Sequence, residues 1–151
     1  ATAQEMGMPA IAMTDHGYLF GAHEFWKTAQ SYDVKPIIGL EAYVAPGTHR
    51  TDKNRVKWGD ERTRPGDDVS GGGAYTHMTL LARNNTGMHN LFTMGSRASL
   101  DSVFAKWPRL DRELLSTYGD GLVATTRSWL LDEGADPEHI HTEVFFAGEP
   151  T

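Results

Sequence analysis

The chain contains the stretch Pro9-Ala10-Ile11-Ala12-Met13-Thr14-Asp15-His16-Gly17, an apolar run that ends on an Asp-His pair. A second run, Val34-Lys35-Pro36-Ile37-Ile38-Gly39-Leu40, leads directly into Glu41. Both runs are short and apolar, which predicts two buried strands of a parallel sheet. A helix predicted from about Phe20 to Ser31 joins them, and strand, helix and strand within about 30 residues are typical of a right-handed parallel crossover. The predicted fold class is therefore α/β.

Three polar side chains follow these two strands directly, namely Asp15, His16 and Glu41. Because the carboxyl ends of parallel strands lie at one edge of a sheet, we expect the three to converge there. Imidazole and carboxylate ligands in one place suit a divalent-metal site that acts on phosphate esters. Taken singly, Asp15 could instead cap the following turn, and His16 could be an ordinary hydrogen-bonded polar residue.

Further strands and helices are predicted downstream. Strands are expected from Thr76 to Ala82, from Gly121 to Thr125 and from Ile140 to Phe146. A helix from about Gly87 to Phe104, capped by Asn85 or Thr86, and a short helix after a cap at Asp111 complete the pattern. The residues of the long helix that we expect to be buried are Met88, Leu91, Phe92, Leu100 and Phe104.

The segment from Ala45 to Tyr75 shows no usable periodicity, and loops of this length are usually functional or disordered. Between Arg50 and Arg64 it carries six basic residues against three acidic ones. Basic side chains interleaved with an aromatic ring suit contact with a nucleic-acid backbone and stacking on a base. The candidates for nucleic-acid binding are Arg50, Lys53, Arg55, Lys57 and Trp58. The alternative is a solvated loop whose Trp58 packs on the body of the domain.

Composition limits the possible classes of protein. The chain has 151 residues, of which 39% are hydrophobic and 23% charged, as in a soluble globular domain or part of one. It has neither an apolar run near the ~20 residues of a membrane span nor a secretory signal, so we expect a cytoplasmic protein. The absence of cysteine excludes disulfides and thiolate metal ligands. The opening residues read as the end of a helix that stops at Gly7, so we interpret residue 1 as a point inside a larger protein.

Charge divides the chain into two segments. Residues 127–151 hold one basic and six acidic residues, whereas residues 1–126 hold 13 basic and 14 acidic residues. Such an asymmetry is typical of a segment with a different role or origin. We therefore predict a domain over residues 1–126 and an acidic C-terminal segment of uncertain origin over residues 127–151.

The sequence of residues 1–126 closely resembles that of the polymerase-and-histidinol-phosphatase (PHP) domain of bacterial replicative DNA polymerase III alpha subunits. The resemblance lies in the stretches Ala10 to Gly21, Lys35 to Pro46 and Thr76 to Ala82, then Asn85-Thr86-Gly87 and Asn90-Leu91. These stretches occur in the family's order and spacing, which makes the joint match specific. It implies a partial, distorted (β/α)7 barrel with parallel strands, incomplete at both ends.

The resemblance also implies a metal cluster of up to three divalent ions, such as zinc, manganese or iron. Asp15 and His16 match the family's second motif, Glu41 its Gly-x-Glu motif and His77 its third motif. His77 opens its predicted strand, which is the wrong end for the strand-end argument, so only the resemblance includes it among the ligands. The implied partners are DNA, the rest of the polymerase alpha subunit and other replisome subunits, without a membrane.

Other parts of the family's pattern are missing from these residues. The first motif, a His-x-His, should precede residue 1, and Arg127-Ser128-Trp129 stands where a Gly-Cys turn with a ligand cysteine is usual. The late Asp-x-His motif is also missing. We therefore expect weak metal binding and an inactive fragment of a DNA-directed DNA polymerase, whose domain is of the phosphoesterase or 3′-5′ exonuclease type. The alternatives are a metal-free scaffold domain and a stand-alone phosphoesterase of the same superfamily.

Overall fold

The computed structural model describes residues 1–55, 69–125 and 144–145. Within these ranges the chain forms a mixed α/β fold. The strands are β1 (Ala10–His16), β2 (Lys35–Val44), β3 (Val69–Ser70), β4 (Tyr75–Ala82), β5 (Val103–Phe104), β6 (Trp107–Leu110), β7 (Leu122–Thr125) and β8 (Val144–Phe145). The helices are α1 (Thr2–Glu5), α2 (Ala22–Ser31), α3 (Asn85–Asp101) and α4 (Arg112–Tyr118).

The sheet contains both parallel and antiparallel strands. β2 pairs with β1 and β6 in parallel, but β4 runs antiparallel to β2. β3 and β7 are in turn antiparallel to β4. The predicted α/β class is confirmed, whereas the expectation of parallel strands holds for β1, β2 and β6 and is wrong for β4 and the strands beside it. A parallel return needs a crossover connection, usually a helix, and the sequence between β2 and β4 has no helical periodicity that would supply one.

In the described part of the chain the sheet is open, with the strand order β5, β6, β2, β4, β7 and β8 and with β1 beside β2. The partial barrel implied by the resemblance therefore stays a prediction. β1 is less buried than expected, since its exposed positions include Ala12 and His16. In the same described ranges, no helix has both the length and the apolar character that crossing a bilayer requires.

The core lies between one face of the sheet and α3. Alternate residues of β2, such as Leu40 and Ala42, face the helix because successive strand residues point to opposite sides. The helix contributes Gly87, Leu91, Met94 and Ala98 as its buried residues. Of the predicted buried positions, Leu91 is confirmed. Phe92 and Leu100 are exposed, Met88 is only partly buried and Phe104 lies in β5.

The buried face of α3 differs from the predicted one because it uses small residues where other chain segments approach closely. The cap is Asn84, whose side-chain oxygen accepts a hydrogen bond from the Gly87 N–H at 2.9 Å, one residue before the predicted cap at Asn85. The helix start also contacts the turn before β7, where the Gly121 backbone passes over Gly87. The helix predicted from about Phe20 begins only at Ala22, and Phe20 is exposed.

Replacing Gly87 by alanine is expected to destabilise the domain. A Cβ at this position would overlap the carbonyl oxygen of Gly121, which is backbone and cannot rotate away. We expect Gly87→Ala to lower the free energy of unfolding by about 1–3 kcal/mol, the usual cost of overpacking. Gly95→Ala in the same helix is the matched control, because its Cβ would meet only Leu19 at 3.8 Å. The control should gain about 0.5–1 kcal/mol from helix propensity, and denaturant unfolding that ranks the two variants the other way would contradict the packing argument.

Candidate metal centre

His16 is the last residue of β1 and lies beside Glu41, which is inside β2 and three residues before its end, rather than directly after the strand as predicted. The parallel register places the two residues directly opposite each other. The Nε2 atom of His16 lies 3.2 Å from Oε1 of Glu41. The side chain of His16 is 66% exposed, whereas that of Glu41 is largely covered. An imidazole and a carboxylate therefore share one open edge of the sheet.

His77 reaches the same carboxylate from β4. Because β4 is antiparallel to β2, its first residues lie beside the last residues of β2, and His77 pairs with Tyr43. The Nδ1 atom of His77 is 2.7 Å from Oε1 of Glu41, the oxygen that His16 also approaches. The two imidazole rings are 6.2 Å apart and nearly perpendicular. The antiparallel direction of β4 thus explains why a residue near its beginning joins residues near the ends of β1 and β2.

Asp15 is not brought into this group. It pairs with Leu40 in the strand register, and Leu40 belongs to the core on the opposite face of the sheet from Glu41. The Oδ2 atom of Asp15 instead accepts a hydrogen bond of 2.8 Å from the Gly21 N–H. In this position Asp15 closes the turn between β1 and α2, which is the alternative role that the sequence allowed for it.

Aromatic rings hold His77 in place. The rings of Tyr43 and Tyr75 lie edge-on to the imidazole, with centroids at 5.6 and 5.2 Å. Burial is the largest reason that the pKa of Tyr43 is raised, and the neighbouring Tyr75 and Glu41 add to the shift. Sequence reasoning missed both tyrosines. The signal was the two-residue spacing that puts Tyr43 on the face of Glu41 and Tyr75 on the face of His77.

The geometry fits a bound cation. Two ligands that each lie about 2.1 Å from a tetrahedral ion are roughly 3.4 Å apart, slightly more than the 3.2 Å between His16 and Glu41. The Nδ1 atom of His77 is buried and has no hydrogen-bond partner of acceptable geometry, although Glu41 lies within contact distance. The 2.7 Å between this nitrogen and Oε1 of Glu41 is shorter than that ligand spacing, so both groups could bind one ion only after a small movement. His16, Glu41 and His77 are therefore candidate ligands for a divalent metal, and that assignment stays a prediction.

A second group of potential ligands lies at the start of α4. Donor atoms of His49, Asp111 and Glu113 are within 4.8 Å of one another, a spacing that a metal ion could bridge. However, Nη1 of Arg50 already contacts Asp111 at 3.1 Å and Glu113 at 3.2 Å. A guanidinium at this position competes with a cation for both carboxylates. Sequence reasoning missed this group because 62 residues separate His49 from Asp111.

The structure describes three of the basic residues that the sequence suggests for nucleic-acid binding. Arg50 is engaged with Asp111 and Glu113, and Lys53 is exposed. The guanidinium of Arg55 donates to the carbonyls of Gly71 and Gly72 and lies over the Phe104 ring. Lys57 and Trp58 lie outside the described residues. Among the described candidates, Lys53 is the side chain that the geometry leaves best able to contact a phosphate backbone.

Comparison with known proteins gives consistent matches. The family model for the PHP domain matches residues 1–146. The DNA polymerase III subunit alpha of Saccharopolyspora erythraea is 54% identical over 132 residues, which cover 83% of this chain and 11% of the relative. The corresponding subunit of Mycobacterium tuberculosis is 49% identical over 126 residues, covering 83% and 10%, and that of Thermus aquaticus is 49% identical over 116 residues, covering 77% and 8%. The chain thus spans about a tenth of the length of these curated relatives.

Proposed function

Since the chain belongs to the PHP domain family, we propose that it is a piece of a replicative DNA polymerase III alpha subunit and carries part of a metal-dependent phosphoesterase site. His16, Glu41 and His77 would hold a zinc, manganese or iron ion. The observation that carries the proposal is the approach of both imidazoles to one oxygen of Glu41. The proposed substrate is the 3′-terminal phosphodiester of DNA, and the proposed partners are the rest of the alpha subunit and other replisome subunits.

The three side chains have different tasks in this proposal. A bound divalent ion would polarise a phosphoryl oxygen and make water a better nucleophile at neutral pH. Glu41 would supply the negative charge of the group, since a histidine that binds a metal does so as a neutral ligand. His77 is fixed between Tyr43 and Tyr75, so its Nδ1 stays close to the carboxylate. His16 is the exposed member of the group, and we infer that a phosphate ester reaches the site from its side.

A catalytically silent scaffold is the second candidate function. The specific observation in its favour is that only three of the predicted ligands converge among the described residues, while the resemblance implies a larger set. A cation held by few ligands binds weakly, since fewer bonds offset the cost of ordering them. We therefore expect little hydrolysis from this chain alone even where a cation is bound.

Metal analysis combined with two hydrolysis assays separates the candidates. The purified chain is dialysed against manganese or zinc, and its metal content is measured by mass spectrometry. We expect one bound ion per chain, at most slow trimming of a single-stranded oligonucleotide from its 3′ end, and no turnover of p-nitrophenyl phosphate. Absence of bound metal would favour the scaffold, and rapid turnover of the phosphomonoester would indicate a stand-alone phosphoesterase instead.

A further inference from the structure

The turn that follows β1 carries two stacked aromatic rings, of which one is exposed. Phe20 is 84% exposed, the largest value among the exposed large hydrophobic residues that the structure describes. Its ring lies on the ring of Tyr18 with centroids 4.6 Å apart and planes within 10° of parallel. One face of Phe20 is thus covered by Tyr18, while most of the ring remains open to solvent.

Both ends of this turn are tied to the sheet, so the pair has a defined position. The Gly17 N–H donates to the carbonyl of Glu41 at 2.8 Å, and the Gly21 N–H donates to Asp15 at 2.8 Å. Between them, Leu19 packs against the hydrophobic core. With Leu19 packed on the core and both ends closed by hydrogen bonds, the partly buried Tyr18 supports Phe20 as a preformed exposed surface.

The stacked pair lies next to the candidate metal centre. Tyr18 is two residues from His16, and Gly17 between them is bonded to the backbone of Glu41. The Tyr18 hydroxyl is also close enough to Tyr43 to add to the rise in its pKa, after burial, Tyr75 and Glu41. Tyr43 in turn lies against His77. Tyr18 therefore connects the exposed ring of Phe20 to the residues around the metal ligands.

We propose that Phe20 is the stacking surface for the terminal base of a single DNA strand whose last phosphodiester lies at the group formed by His16, Glu41 and His77. This inference rests on the proposed function and adds a residue that positions the substrate. Stacking on an aromatic ring tolerates every base, as a site that trims any 3′ end requires. Phe20 differs in this respect from Leu100, which is 82% exposed but is a single aliphatic residue at the end of α3, such as any protein surface carries.

The test compares two DNA probes that differ only in the terminal base. One is a 5′-labelled oligothymidylate, and the other is the same strand with an abasic 3′-terminal residue. Their dissociation constants are measured by fluorescence anisotropy with and without manganese. We expect Phe20→Ala to weaken binding of the complete strand by about 5- to 100-fold and to leave the abasic strand unaffected, because a stacked base is lost only in the first case. Phe20→Trp should restore the preference, and Leu100→Ala is the matched control that should retain it.

The contrary outcomes are distinct from those that test the proposed function. Equal affinity of the unmodified chain for both probes, equal losses on both probes with Phe20→Ala, or no binding of the complete strand would overturn the stacking role. Unchanged binding of both probes by Phe20→Ala would also overturn the stacking role. It would favour a role for Phe20 as a contact for another protein surface. Base discrimination that depends on Phe20 in a chain that binds no metal would instead count against the proposed function while supporting the stacking surface.

Discussion

Glu41→Gln is expected to lower the affinity of the chain for manganese or zinc by at least about 100-fold, measured by isothermal titration calorimetry. Even groups that only support a ligand typically contribute 10- to 100-fold to metal affinity, and Glu41 is a direct candidate ligand. The substitution keeps the shape of the side chain but removes the negative charge. It also replaces one carboxylate oxygen with an amide nitrogen, which cannot donate electrons to a cation. Both imidazoles approach this one carboxylate, so the whole group depends on it.

The control for this variant is Glu24→Gln, the same chemical change at an exposed position in the first turn of α2. It should leave metal affinity unchanged. His77→Ala should reduce affinity to an extent comparable to that of Glu41→Gln, since its buried Nδ1 is free of other hydrogen bonds. If Glu41→Gln binds metal as the unmodified chain does, the ion is not at this edge of the sheet. Glu113→Gln would then test the group of His49, Asp111 and Glu113.

Asp111→Ala is expected to cost about 3–5 kcal/mol in the free energy of unfolding, the range for removing one partner of a buried ion pair. Asp111 is 2% exposed. It caps α4 by accepting the Leu114 N–H at 3.0 Å, and it accepts both the backbone N–H of Arg50 at 2.9 Å and its guanidinium at 3.1 Å. Its loss would leave several buried donors without partners. Glu113→Ala removes the exposed partner of the same arginine and should cost less than about 1 kcal/mol. Denaturant unfolding that gives similar losses for both would contradict this assignment.

The same carboxylate is expected to make the domain sensitive to acid. Burial alone would raise the pKa of Asp111, but hydrogen bonds from the backbone of Leu114 and Arg50 and the charge of Arg50 outweigh it, so the pKa is lowered. A group whose pKa is lower in the folded state stabilises the fold above its unfolded value, near 3.8, and loses this contribution as the pH falls through the folded value. Below about pH 4, the unmodified chain should therefore lose stability more steeply than Asp111→Ala. Parallel losses in the two proteins would contradict the role of this group.

Much of the architecture was predictable because its signals are local. The apolar runs ending at Asp15-His16 and at Glu41 predicted two neighbouring parallel strands, and the register of β1 and β2 confirms them. The Asp111 cap was also predictable, since a capping side chain bonds to residues that follow it directly. The family resemblance is confirmed by the match to residues 1–146, which extends past the boundary predicted at residue 126. That boundary, the role of residues 127–151 and the ligand set stay predictions.

The features that could not be read from local pattern depend on the direction of a distant strand. A run of apolar residues such as Thr76 to Ala82 predicts a strand but not its orientation, because both orientations bury the same side chains. Tertiary pairing sets β4 antiparallel to β2, and this brings His77 beside Glu41. The same applies to Arg50 and Asp111, which are 61 residues apart and meet only when β6 pairs with the end of β2. Hydrophobic periodicity and helix capping depend on residues that are close together in the sequence. The assembly of a site instead requires distant strands to pair in space.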